Sequence, residues 1–185
     1  MKELSLNLLD IAQNSIKAEA TRIEITLEET EQTLVITIAD NGCGMTKEVL
    51  EVVTNPFYTT RTTRRVGLGI PLLKLAAEQT GGTVTITSRH KSENSDLHGT
   101  EVRATFFRQH IDFTPLGDVV STIITLIQGS PEIDFVFHHH LPGGSVTLDT
   151  VEMREILGAS VPLNTPEVIQ WIAQYLKEQY KNLHQ

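Results

Sequence analysis

The 185-residue sequence predicts an α+β protein: a two-layer α/β sandwich with helices on one face of a mixed sheet, followed by a small α+β appendage. Three observations predict it. Two stretches each pass from a helical stripe into alternating strands. The strands pair as hairpins around polar turns, which suits helices layered on one face and not a doubly wound parallel sheet. The chain also changes character near residue 109: residues 1–108 hold 12 Lys and Arg against 14 Asp and Glu, and residues 109–185 hold 3 against 9. We therefore divide the sequence into units 1–108 and 109–185.

Residues 3–18 read as a helix, because Leu4, Leu8, Ile11, Ala12 and Ser15 keep one stripe and no Gly or Pro interrupts it. Asp10, Asn14 and Lys17 stand at i, i+4 and i+7, so a carboxylate, an amide and an ammonium share a face that could suit a metal–phosphate group. A solvated helix face with Asp10 bonded to Asn14 is the simpler reading of that trio alone. Ile23, Ile25 and Leu27 alternate with polar residues as a first strand, and Leu34, Ile36 and Ile38 do so in a second. The second strand delivers Asp40 into the turn Asn41-Gly42-Cys43-Gly44-Met45. Gly42 and Gly44 carry no Cβ, so a flat ligand can approach the backbone there, and a carboxylate beside the turn can accept from an exocyclic amine. Asx-Gly turns that merely precede a helix are also common.

Thr46 is a suitable N-cap for a short helix over Lys47–Val53, which Pro56 ends. Thr54 to Val66 has no apolar periodicity and reads as a binding loop or lid. Between Val52 and Ala77 there is no acidic residue, while Arg61, Arg64, Arg65 and Lys74 fall there, a basic island suited to a small anion such as a nucleotide phosphate. Gly67-Leu68-Gly69 opens a helix running to Gly81-Gly82, and glycines at a helix start leave N–H groups for an anion. Strands follow over Thr83–Arg89 and His98–Phe107.

Beyond residue 109 the pattern is helix, hairpin, helix, helix. Pro115 starts a helical run to Gly129, and two strands flank Pro142-Gly143-Gly144. Asp149 with Glu152 begins a helix to Leu157, and Thr165-Pro166-Glu167 begins the last. Within His138-His139-His140 only His138 and His140 could share an ion, because adjacent strand residues face opposite ways. A polar strand edge is the preferred reading.

Bulk properties narrow the function. A net charge of −8 argues against a general nucleic-acid binder. No apolar run reaches membrane-spanning length, no signal peptide begins at Met1, and a single cysteine, Cys43, suits a reducing compartment. The expectation is a cytoplasmic protein that binds neither nucleic acid nor membrane.

Several of these stretches together resemble the ATP-binding domain shared by DNA gyrase, a heat-shock chaperone, histidine kinases and MutL, the GHKL superfamily. Leu9-Asp10-Ile11-Ala12-Gln13-Asn14-Ser15-Ile16-Lys17-Ala18 resembles its first motif, and Asp40-Asn41-Gly42-Cys43-Gly44-Met45 its second. Pro56-Phe57-Tyr58 resembles the aromatic box of kinases, Val66-Gly67-Leu68-Gly69-Ile70 the second glycine box, and His98-Gly99-Thr100 the last small motif. The resemblance covers residues 1–108 and implies a Bergerat-type fold with ATP and Mg²⁺ as cofactors. It implies that Asn14 coordinates Mg²⁺, Lys17 reaches the phosphates, and Asp40 binds the adenine amine with Thr100 supporting it through water. Gly67, Leu68 and Gly69 would cradle phosphates beneath a lid carrying Phe57 and Arg61. Asp10 stands where hydrolytic members place a Glu and typical kinases an Asn, which implies a catalytic carboxylate one methylene short. Arg65 replaces the first glycine of the kinase box and Thr54 a frequent Phe, departures that bear on the lid.

The resemblance also implies a helical dimerisation segment with a phosphorylatable His ahead of this domain in most such kinases; with the motifs starting near Met1, the expectation is a chain without one. Three functions follow. The first is a kinase acting in trans on a partner docked through residues 109–185; the second is a slow ATPase switch. The third is a nucleotide-sensing module, which a likeness to tailed, stand-alone ATPase-like chains of iron-hydrogenase or redox systems would suit. The oligomeric state is left open.

Overall fold

The computed structural model describes residues 3–54, 68–93, 96–158 and 160–183. Residues 55–66 of the expected lid, with the Pro56 helix stop, Phe57 and Arg61, and Gly67 of the expected phosphate cradle lie outside these residues. Helix α1 (Leu4–Lys17) leads to strands β1 (Arg22–Glu29) and β2 (Thr33–Asp40), then short α2 (Lys47–Val52). Thr46 caps α2 as its position suggests, its hydroxyl accepting from Val49 N–H at 3.4 Å. Helix α3 (Gly69–Gln79) is followed by β3 (Thr83–Arg89) and β4 (Gly99–Phe107). The remaining chain forms α4 (Val119–Gly129), β5 (Asp134–Leu141), β6 (Gly144–Asp149), α5 (Thr150–Leu157) and α6 (Pro166–Leu183).

The strands form one six-stranded sheet in the order β3-β4-β2-β1-β5-β6, mixed because β1 and β5 run parallel while the other neighbours are antiparallel. Strand alternation puts one set of side chains on a single face. Ile25 and Leu27 lie opposite Ile38 and Ile36 across β1–β2, Ile23 and Leu34 extend that face, and Val102, Ala104 and Phe106 continue the row on β4 opposite Ile38, Ile36 and Leu34. All are at most 4% exposed, and the buried stripe of α1 (Leu4, Leu8, Ile11, Ala12) closes over them. The expected fold is therefore the observed one, with helices packed on a mixed sheet.

The 109–185 segment shares this sheet with the segment before it. Phe135, Phe137 and His139 lie in register with Ile23, Ile25 and Leu27. The hairpin reading around Pro142-Gly143-Gly144 holds, and parallel pairing of its first strand with β1 adds it to the sheet.

Two sequence readings need correction. Helix α4 starts at Val119, not Pro115. The carbonyls of Pro115 and Leu116 accept from the N–H groups of Leu4 and Ser5, at 2.9 and 2.8 Å, so that stretch serves the open start of α1. Gly117 then turns at φ +80°, and Asp118 caps α4 by accepting from Ser121 N–H at 2.9 Å. Nor is the His run on a sheet edge: β5 lies between β1 and β6, and His139 is only 2% exposed. Tyr180 O–H donates to its Nδ1 at 2.7 Å, and its Nε2–H donates to Glu29 at 3.3 Å. Burial disfavours the charged imidazole and lowers its proton affinity, and burial raises that of the Tyr180 phenol. His139 is thus a neutral link between α6 and the sheet. Among the described residues, no group of three or more His, Cys, Asp and Glu side chains is placed to hold a metal ion.

Candidate functional site

At the end of β2 the chain places Asp40 opposite Thr100 of β4 and beneath the last turn of α1. Its carboxylate is held by three donors. Ser15 O–H donates to Oδ2 at 2.6 Å, and the N–H groups of Gly42 and Thr100 donate to Oδ1 at 2.9 and 3.3 Å. Such a carboxylate keeps a fixed orientation and retains lone pairs for an incoming amine.

The turn after Asp40 is built by close backbone contact. A Cβ at position 42 would stand 2.7 Å from the Ala18 carbonyl oxygen and 3.0 Å from Asp40 Oδ1. Gly44 takes φ +68°, and a Cβ there would fall 1.9 Å from the Arg89 carbonyl oxygen. Cys43 N–H donates to Ala18 at 2.8 Å, fastening the turn to the end of α1. From the other side, His98 Nδ1–H donates to the Gly42 carbonyl at 2.6 Å. Ser88 links the strands: its hydroxyl accepts from Met45 N–H at 2.8 Å and lies 2.8 Å from the Thr100 hydroxyl. Thr100 therefore meets Asp40 through its backbone N–H, while its hydroxyl is engaged with Ser88. Ala39, Asp40, Ser88, His98, Gly99 and Thr100 line an open depression at this end of the sheet.

Helix α3 meets α1 at a second cluster of predicted site residues. Its first residue, Gly69, is buried against α1, and a Cβ there would stand 3.2 Å from Asp10 Cβ and 3.7 Å from Asn14 Nδ2. Leu68 precedes it without a side-chain capping bond, and the first turn holds no acidic residue. A helix start with no side-chain cap and no acidic residue in its first turn offers free N–H groups and the positive end of its dipole to an anion, and the Asn14 amide lies beside it. Asp10 is exposed and Asn14 half-buried; Lys17 is exposed in the last turn of α1.

The structure thus brings Asp10, Asn14, Leu68 and Gly69 into one group, and Asp40, Gly42, Gly44 and Thr100 into another. Helix α1 joins the groups, because Ser15 follows Asn14 and bonds Asp40. The sequence reading missed Ser15, Ser88 and His98 as site residues. Ser15 had a signal, a hydroxyl on an otherwise apolar stripe, whereas Ser88 looked like any polar strand residue.

The family model described as histidine kinase-, DNA gyrase B-, and HSP90-like ATPase matches residues 2–110. The C4-dicarboxylate transport sensor protein DctB of Rhizobium meliloti (strain 1021) is 32% identical over 85 residues, 44% of this chain but 14% of that protein. Sensor histidine kinase CpxA of Escherichia coli (strain K12) is 31% identical over 97 residues, 50% of this chain and 20% of that protein. The chain thus matches a small part of each relative. Among solved structures, the Aquifex aeolicus MutL ATPase domain complexed with ADP superposes with a TM-score of 0.56 at 16% identity. That likeness covers 85% of this chain and 69% of the other, so it extends past the family-matched residues into the C-terminal segment.

Proposed function

Because the chain belongs to the histidine kinase-, DNA gyrase B-, and HSP90-like ATPase family, we propose that it binds Mg-ATP and transfers the γ-phosphoryl group to a partner protein docked through residues 109–185. The observation that carries this reading is the Asp40 carboxylate, oriented by Ser15, Gly42 and Thr100 beside a turn that leaves no room for a Cβ. It accepts the exocyclic amine of adenine, while Gly42 and Gly44 let the flat base approach the backbone. The start of α3 at Leu68-Gly69 receives phosphate oxygens, and Lys17 adds a positive charge.

The donor set fits Mg²⁺ as well. Asn14 offers a neutral amide oxygen next to the phosphate position, which suits a hard cation that takes most of its ligands from phosphates and water. When bound, Mg²⁺ supplies charge neutralisation for the phosphates. Asp10 takes the proton of the attacking hydroxyl as that oxygen bonds to the γ-phosphorus. The bond to the β–γ bridging oxygen breaks, and ADP leaves with that electron pair.

One observation favours slow hydrolysis as the basal behaviour. Asp10 keeps the carboxylate but is one methylene shorter than a glutamate in its place, so its oxygen sits further from the γ-phosphate. A general base works only within hydrogen-bond reach, directly or through one water. A misplacement near 1 Å costs about a hundredfold.

The test follows γ-labelled phosphate from ATP with the full chain, alone and with candidate partners from the native cell. We expect slow release of free phosphate alone and label on a partner protein when one is present. Bound ATP that yields neither labelled partner nor free phosphate would overturn transfer and leave the chain as a nucleotide sensor.

A further inference from the structure

We propose that Asn7 is a positioning residue for Asp10, its side-chain amide donating to the Asp10 carboxylate when nucleotide is bound. The inference rests on the reading of Asp10 given above. Asn7 is fully buried, and neither its Oδ1 nor its Nδ2 has a hydrogen-bond partner. Among the described residues, these are the buried side-chain polar atoms left in that condition. A buried amide without partners is less stable than an apolar side chain of similar shape, and native proteins pair such groups. Asn7 therefore calls for a second state in which it is paired.

Its place on α1 points to the partner. Leu4, Leu8, Ile11 and Ser15 face the sheet. Thr122 of α4 donates to the Ser5 carbonyl, which places α4 on one flank of α1. The packing of Gly69 against Asp10, Ile11 and Asn14 places α3 on the other. At 100° per residue, Asn7 stands roughly 60° from Asp10 and roughly 20° from Asn14, on the α3 flank. Helical side chains lean toward the N-terminus, so Asp10 leans over the turn that holds Asn7. Cβ atoms at i and i+3 are about 5–6 Å apart, a gap an amide and a carboxylate close by changing rotamers. An amide with unused donors thus lies one turn from a carboxylate that receives none. Joining them fixes which Asp10 oxygen faces the attacking hydroxyl, an effect on kcat and not on nucleotide affinity.

The competing account is a buried water that satisfies Asn7 permanently. It predicts an amide indifferent to nucleotide. The test records the side-chain ¹⁵N–¹H resonances of Asn7 in the full chain, in wild type and Asp10→Ala, which has no side-chain acceptor, as Mg²⁺ and a non-hydrolysable ATP analogue are added. We expect them to move in wild type and to stay nearly fixed in Asp10→Ala. Resonances that stay put at saturation, or move equally in both proteins, overturn the proposal. Failure of the Gly42 and Gly99 backbone amides to shift would remove the nucleotide reading itself, and this proposal with it. A second arm uses Asn7→Leu, expected to melt no lower than wild type, to bind nucleotide within threefold, and to lose at least tenfold in kcat for γ-phosphate release. An unchanged kcat counts against Asn7, and if this variant does not fold, the spectral arm on wild type decides alone.

Discussion

Asp10→Asn lowers turnover of γ-phosphate by about a hundredfold to ten-thousandfold, the range a general base contributes, while ATP affinity stays within about threefold of wild type. The amide is nearly isosteric with the carboxylate, so the packing of α1 against Gly69 is kept. What is lost is an acceptor able to hold a proton. Because Asp10 is exposed and its side chain is not part of the core, the substitution leaves folding intact. The measurement is steady-state phosphate release together with label transfer to a partner. A fall in kcat at constant nucleotide affinity supports Asp10 as the base. Unchanged turnover would reduce Asp10 to a residue of the helix face.

Gly99→Ala removes nucleotide binding by at least thirtyfold and lowers the unfolding midpoint by several degrees. Gly99 takes φ +135°, a region open almost only to glycine. A Cβ there would stand 1.9 Å from the Asp40 carbonyl oxygen and 3.0 Å from Asn41 Cα. Backbone strain alone is worth roughly 1–3 kcal/mol. Relief of the clash must also part β4 from β2 at the Asp40–Thr100 pair, which takes the Thr100 N–H away from Asp40 Oδ1. Gly129→Ala is the matched control, since a Cβ at that helix end meets nothing within 4 Å. Thermal melts and nucleotide titrations of both variants check the pair, and equal behaviour would contradict the backbone argument.

Much of the fold was legible because its signals are local. The alternation of Leu34, Ile36 and Ile38, the Thr46 cap and the Asp149 cap each depend on a few neighbouring residues. The same holds for the α1 stripe that presents Asp10 and Asn14 together. What escaped was non-local. No short-range feature announces that β5 will lie parallel to β1, more than a hundred residues earlier, or that Pro115 will serve the start of α1. The site divides the same way. Asp40 and its glycines were readable as a turn, whereas the Ser15–Asp40 bond and the Ser88–Thr100 link join residues that only the folded sheet brings together. His139 misled for a related reason: a run of three histidines suggests a wet edge, and only the placement of β5 between two strands shows the middle one to be buried.

The central claim is that Asp40 receives an adenine. Calorimetric titration of Mg-ATP into wild type and Asp40→Asn tests it most directly. In the variant, one carboxylate oxygen becomes an N–H₂ group, while Gly42 N–H, Thr100 N–H and Ser15 O–H still point at the position. The incoming amine then meets a donor where it needs an acceptor, a mismatch of about 2–3 kcal/mol. We predict that wild type binds Mg-ATP and that Asp40→Asn, folded to the same melting profile, binds it at least thirtyfold more weakly. Equal affinity in the two proteins would contradict the account.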